Sequence, residues 1–202
     1  MRHRNLFYAL LITIFSVGLL SCEEEDEPET SNTVASEFDE DAAGWTIEGD
    51  ASGSSSVDAA YSPFDGLDDS GYIYAEDDVT GGVWYFVAPA KYHGDMSAYA
   101  DGTISFWLIQ QSNMDDQFDS KDVILDNGDG EQIYHKHDNY PGLDWTSYTI
   151  ALNESGNWMN GDDQPASMSE IEAVMSDVVS VWIRGEFQTG SDTGGLDQFQ
   201  FM

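Results

Sequence analysis

The sequence predicts an all-β protein, a sandwich or jelly roll of short strands with a single short helix. Runs rich in Val, Ile, Tyr, Phe and Trp recur along the chain, punctuated by Gly, Asp, Asn and Ser. That spacing suits hairpin-connected strands better than alternating strand and helix units. No repeat with a period of about 20 to 50 residues replaces the pattern. Only one segment carries helical periodicity.

The chain opens on a targeting signal. Arg2, His3 and Arg4 precede a mostly apolar run from Leu6 to Leu20, shorter than the roughly 20 residues that span a bilayer. A basic head followed by a short apolar stretch makes residues 1–21 a secretory signal peptide. LLSC ends it at Cys22, the only cysteine in the chain. This resembles the bacterial lipoprotein signal, in which that cysteine carries the lipid and anchors the protein without a spanning helix. Residues 22–33 follow as an acidic tether; EEEDEPETSN repels itself and cannot bury apolar surface. Acidic residues directly after the lipidated cysteine resemble the signal that sends some Gram-negative lipoproteins to the outer face. The expected location is therefore the bacterial outer membrane, anchored through Cys22 and facing the exterior.

Residues 34–202 amount to one domain. With no second cysteine, an ordinary apolar core must hold it together. Six Lys and Arg against 39 Asp and Glu leave a net charge of -33. That balance excludes a nucleic-acid partner, since phosphate binding needs basic patches. It suits solubility, cation binding or a salty medium.

The strand-type runs are, in order, GWTIEG, GYIYAE, GVWYFVAP, TISFWLIQQ, DVILD, QIYHK, DWTSYTIAL, VVSVWIRGEF and LDQFQF. The helix is SMSEIEAVMSDV. Ser167 with Glu170 three residues on is a capping box, and Ile171, Val174, Met175 and Val178 share one face at helical spacing. This apolar stripe reads as core packing.

Several stretches together resemble the laminin B domain, also called laminin IV type A or L4. They run from FDEDAAGWTIEGDA through VWYFVAPAKYHGDMSAYADGTISFWL, DVIL and DWTSYTIALNESGNW to PASMSEIEAVMSDVVSVWIRGEF and DTGGLDQFQF. The resemblance covers about Glu37 to the C-terminus, and the APAKYHGD and IRGEF…LDQF blocks carry most of it. It implies a jelly-roll β-sandwich similar to carbohydrate-binding modules and the galactose-binding fold, with an architectural rather than catalytic role outside the cell. Laminins insert this domain among cysteine-rich modules that are lacking here, so their assembly partners do not carry over.

Two charges near the C-terminus ask for partners. In the last strand Asp197, Phe199 and Phe201 alternate onto one face, which places a carboxylate among core aromatics. A hard cation is one remedy, because Ca²⁺ accepts six to eight oxygen ligands. Modules resembling this one hold a structural Ca²⁺ between the first and last strands. The counterpart here is Asp39, with Glu40 or Asp41 as further donors. The alternative is that Asp197 caps the turn after Gly194 and Gly195. In VSVWIRGEF, Val179, Val181, Ile183 and Phe187 read as core, while Ser180, Trp182, Arg184 and Glu186 face the other way. Either Arg184 pairs with a neighbouring carboxylate, or Trp182, Arg184, Glu186 and Trp107 form a concave face that stacks on and hydrogen-bonds a sugar.

Other constellations are weaker. The acidic run 115–131 fails as an EF-hand, since Leu125 and Lys136 fall where Asp and Glu belong, and reads as a solvated loop and hairpin turn. His135 and His137 share a strand face without a third metal ligand at diagnostic spacing, and read as a solvated hairpin end. There is no GxSxG, P-loop or nucleophilic cysteine. The expected protein is a non-catalytic, lipid-anchored surface protein that binds glycan or an extracellular partner. The competing readings are an enzyme degrading polysaccharide or glycoprotein, and a purely structural envelope component.

Overall fold

The computed structural model describes residues 32–52, 56–111 and 116–202. The signal peptide, Cys22 and all but the last two residues of the tether lie outside them. In chain order the strands are β1 (Val34–Ser36), β2 (Thr46–Glu48), β3 (Val57–Asp58), β4 (Ala60–Ser62), β5 (Tyr72–Asp77), β6 (Tyr85–Val87), β7 (Thr103–Gln110), β8 (Val123–Asp126), β9 (Gln132–His135), β10 (Thr146–Ala151), β11 (Met159–Asn160), β12 (Ser180–Arg184) and β13 (Asp192–Phe201), with one helix, α1 (Met168–Met175), between β11 and β12. All nine strand-type runs of the sequence form strands. The additional strands, β1, β3, β4 and β11, are two or three residues long, too short to leave a period-2 pattern.

Two antiparallel sheets form a sandwich. The first runs β10-β7-β13-β5-β4, with β1 also paired to β13; the second runs β11-β9-β8-β12-β6-β2-β3. Their inner faces carry the alternating apolar residues: Ile104, Phe106 and Leu108 on β7 meet Val181 and Ile183 on β12 in one core cluster. Trp45, Tyr92 and Phe199 pack edge-on at the centre, with Trp45 and Phe199 ring centroids 4.9 Å apart. The helix starts as its sequence dictates, with Ser167 and Glu170 satisfying each other's backbone N–H, and it buries Ile171, Val174 and Met175. Among the described residues no helix is long and apolar enough to cross a membrane.

One irregularity changes how the last strand must be read. The β13–β7 register shifts between Asp197 and Gln200, and Gln198 takes a left-handed φ of 49°. This β-bulge resets the alternation. Leu196 and Phe199 therefore both face the core, while Asp197 pairs with Trp107 on the outer face of the first sheet. The carboxylate is fully buried all the same, because the 62–71 loop covers it.

Candidate metal centre

Strand phase and chain turns bring four carboxylates together at one end of the sandwich. On β5, Ile73, Ala75 and Asp77 point inward, and they pair directly with Leu196, Gly194 and Asp192 of β13. Both strands thus end their core-facing row on a buried aspartate. Like charges directly opposite in an antiparallel pair repel, so this is a costly arrangement unless something compensates. The second sheet adds two more carboxylates. Asp50 begins a single 3-10 turn just after β2, and Glu186 follows the end of β12 with 1% of its surface exposed.

Oxygens of Asp50, Asp77 and Glu186 all lie within 4.8 Å of one another. Asp50 Oδ1 and Oδ2, Asp77 Oδ2 and Glu186 Oε2 are buried without a hydrogen-bond partner. Their other contacts are few: Asp77 Oδ1 accepts from Val79 N–H at 2.9 Å. Asp192 completes the wall, accepting from Trp84 Nε1 and from Phe187 N–H, both at 3.3 Å. The backbone closes in tightly here. A Cβ on Gly82 would stand 2.4 Å from Asp50 Oδ2, so any side chain there would displace that carboxylate. A recess of about 220 Å³ lined by Gly81, Gly82, Phe118, Glu186 and Thr189 leads to the site.

The electrostatics follow from this crowding. Burial, and then the like charges of Asp50, Asp192 and Asp77, push the Glu186 carboxyl up to about 8. Burial pushes Asp192 up to about 6, against the hydrogen bonds it receives, and raises Asp77 as well, with Asp50 adding to the effect. Arg184 is the cation that works in the opposite direction on Glu186, but its guanidinium is already paired with Asp122. An all-oxygen cage with several unsatisfied carboxylate oxygens and no sulfur or imidazole donor fits a hard divalent cation. Ligands drawn from both sheets would let that cation pin them together.

The sequence pointed elsewhere for this site. Asp39, Asp41 and Asp197 do not converge; the carboxylate trio found among the described residues is Asp50, Asp77 and Glu186. Asp197 is instead held by three donors, Leu67 N–H at 2.8 Å, Ser70 Oγ at 3.1 Å and Gln198 N–H at 2.7 Å. It clamps the 62–71 loop onto the sheet. Asp39 is exposed and lends its backbone carbonyl to Tyr61 Oη, while Asp41 caps Ala43 N–H. No local pattern announced this cluster: the alternation read from LDQFQF sets Asp192 on the face opposite Asp197, and only the bulge at Gln198 turns Asp192 inward.

The proposed sugar face is also redistributed. Trp107 lies half-buried on the outer side of the first sheet and Trp182 on the outer side of the second, packed against Tyr85 at 5.4 Å. The two tryptophans therefore sit on opposite sides of the sandwich. Arg184 has no exposed surface. Its Nη1 bonds Asp122 Oδ1 at 3.0 Å, Nη2 bonds Phe118 O at 2.8 Å, and Nε bonds Glu186 O. The guanidinium lies over the Phe118 and Phe187 rings, 4.5 and 4.4 Å from their centroids. Asp122 also accepts from His137 N–H at 2.6 Å, which makes part of the acidic run 115–131 a buried ion-pair partner instead of a solvated loop. His135 and His137 are likewise not a solvated hairpin end. They stand 5.3 Å apart against Trp158 and Tyr148, and burial holds His137 down to about 2, hence neutral.

Two antiparallel sheets packed as a sandwich with one capped helix make a jelly-roll β-sandwich. The laminin B (domain IV) family model matches residues 85–202, more than half of the chain, and the protein belongs to that family. Its fold is similar to that of the L4b domain of human laminin alpha-2, with a TM-score of 0.64 at 10% identity over 85% of this chain and 98% of that one. A weaker likeness, TM-score 0.43 at 14% identity over 85% and 86% of the two chains, is to the family 11 carbohydrate-binding module of a cellulosomal cellulase of Clostridium thermocellum. No curated protein matches the sequence.

Proposed function

We propose that this protein is a non-catalytic surface module, lipid-anchored through Cys22 to the outer membrane, that binds glycan on the outer face of its first sheet and is stiffened by Ca²⁺ in the carboxylate cage. The observation that carries the ligand reading is the composition of that outer face. Trp107, Tyr74 and Trp145 are half-buried, and Tyr72 joins Tyr74 at 5.7 Å to Trp145 at 5.4 Å. Polar groups surround them: the register sets Ser147 beside Trp107 and Thr149 beside Ser105, which receives Gln200 Nε2 at 2.9 Å. Partly exposed aromatic rings offer stacking surface to the C–H faces of a sugar, and the flanking hydroxyls and amides bond its hydroxyls.

The cage does not suit glycoside hydrolysis. Retaining and inverting enzymes separate their carboxyl groups by about 5 Å or more with a sugar between them. Here the oxygens are within 4.8 Å of one another, and Glu186 is all but fully covered. A cation fits that geometry and a sugar ring does not.

A glycan array probed with the Cys22→Ala full chain tests the ligand reading. Binding that Trp107→Ala abolishes supports it; an array with no enrichment, or binding indifferent to Trp107, overturns it. Metabolic labelling with a fatty-acid analogue tests the anchor, which predicts label on the unaltered chain and none on Cys22→Ala.

A further inference from the structure

The edges of the two sheets are unequal. The second sheet ends on β3 and β11, two residues each, and β11 is covered by a bridge from Met159 to Pro165. One edge of the first sheet is the three-residue β4. The opposite edge is β10, six residues reading Thr-Ser-Tyr-Thr-Ile-Ala. Its pairing with β7 is unbroken from Thr146↔Leu108 to Ala151↔Thr103. Sheets normally blunt a long edge with Lys, Pro, a bulge or a covering loop, because unpaired N–H and C=O groups recruit another strand. The β10 segment has no Lys, no Pro and no bulge.

The ladder shows which backbone groups face outward. Leu152 N–H donates to Gly102 O at 2.8 Å, and Asp101 N–H donates to Leu152 O at 3.0 Å, so Leu152 faces the β7 side. Antiparallel alternation then turns Ile150, Tyr148 and Thr146 toward β7, and Ser147, Thr149 and Ala151 away from it. Ala151 O bears this out by accepting Trp158 Nε1 at 2.7 Å. Ser147 and Thr149, both exposed, therefore hold N–H and C=O groups out from the sheet. Beside them runs a groove of about 440 Å³, with His135, His137, Asp138 and Asn139 in its walls and Ser155–Asn157 at its end. His137, 8% exposed, presents a buried Nε2 without a hydrogen-bond partner. No Lys or Arg lines this groove.

We propose that β10 is a docking edge for an extended polypeptide segment of a partner, bearing Lys or Arg at alternate positions, which adds a strand to the first sheet along this groove. Outward N–H and C=O pairs repeat every second residue, about 7 Å apart, a spacing that another extended backbone matches. Charge selects the partner. Asp138 stands in the groove wall, and the chain as a whole carries -33, so a basic strand is attracted. A second copy of this chain would bring the same negative charge and be repelled. The edge uses the backbone of Ser147 and Thr149, whose side chains border the aromatic face, and it does not depend on the glycan reading.

The test uses the Cys22→Ala full chain with two synthetic peptides of equal charge. One alternates Lys and Val; the other replaces two of the Val with Pro, which keeps the charge but removes ladder N–H groups. Amide hydrogen exchange should slow at Ser147 and Thr149 by about tenfold or more with the first peptide and stay unchanged with the second. Thr149→Pro removes an outward N–H that β7 does not use, and should weaken binding of the first peptide roughly three- to tenfold. If that variant does not fold, the exchange pattern of the unaltered residues still decides. Equal binding of both peptides would reduce the effect to electrostatic adsorption and overturn the proposal. Absence of protection at Ser147 and Thr149 would overturn it too, as would peptide-free self-association that protects those amides, which would make a second copy the occupant.

Discussion

Adding Ca²⁺ to metal-stripped protein should raise its melting temperature at pH 8 and leave it nearly unchanged at about pH 5.5. Three carboxylates whose oxygens lie within 4.8 Å of one another repel by on the order of 3 kcal/mol per ionised pair at an effective dielectric of about 20. The metal-free fold relieves this by keeping Glu186 protonated, its carboxyl raised from 4.5 to about 8. A raised acid contributes stability that is fully present below its unfolded value and is lost as pH climbs through its folded value. Between 4.5 and about 8 the metal-free protein should thus lose stability, with an upper bound of roughly 5 kcal/mol for this one group. Asp192, raised to about 6, adds to the loss in the lower part of that window. A cation needs the ionised carboxylate and competes with the proton. At pH 8 and a hundredfold excess over Kd it contributes about 2.7 kcal/mol, or about 5–11 °C at roughly 2–4 °C per kcal/mol for a domain of this size. At about pH 5.5 the competing proton cuts the apparent affinity by roughly two orders of magnitude, and the shift collapses. Scanning calorimetry of EDTA-treated protein at the two pH values, with and without Ca²⁺, reads this directly. Glu186→Gln should raise the metal-free melting temperature at pH 8 and remove most of the Ca²⁺ response. Identical melting with and without Ca²⁺ at pH 8, or equal shifts at both pH values, would refute the cage.

Three further outcomes follow from particular contacts. Asp197→Ala strips the acceptor from Leu67 N–H and Ser70 Oγ and should cost about 1–3 kcal/mol, with faster amide exchange at Leu67 and an unaltered EDTA response; loss of that response would instead make Asp197 a metal ligand. Arg184→Met leaves Asp122 buried and unpaired and should cost about 3–5 kcal/mol in a denaturant melt, while the double variant with Asp122→Leu should recover most of it. Gly185→Ala would place a Cβ 1.9 Å from the Trp84 ring, so soluble, folded protein at wild-type yield would contradict the packing described.

Legibility in the sequence tracked the range of the interaction. The helix could be read because its cap, Ser167 with Glu170, and its apolar stripe are set within a few residues of one another. The longer strands could be read because alternation is local. Asp197 misled because a single left-handed residue, Gln198, breaks that alternation, and no residue type in LDQFQF announces a bulge. Arg184 left two readings open, and its ion pair with Asp122 settles them in favour of a carboxylate partner over an exposed sugar contact. Its strand phase was right, but Phe118, Tyr140 and Phe187 close over the outward side, and cover by a distant loop leaves no mark in the strand itself.

The sequence by itself determined the nine strand-type runs and the helix, the family, and the surplus of negative charge. Only the tertiary structure decided which carboxylates meet. Asp50, Asp77, Glu186 and Asp192 belong to four separate stretches of chain, and they converge because the β5–β13 register sets two of them opposite each other while the second sheet delivers the other two. Sheet order and register are long-range outcomes of packing two apolar faces together, and no local spacing encodes them.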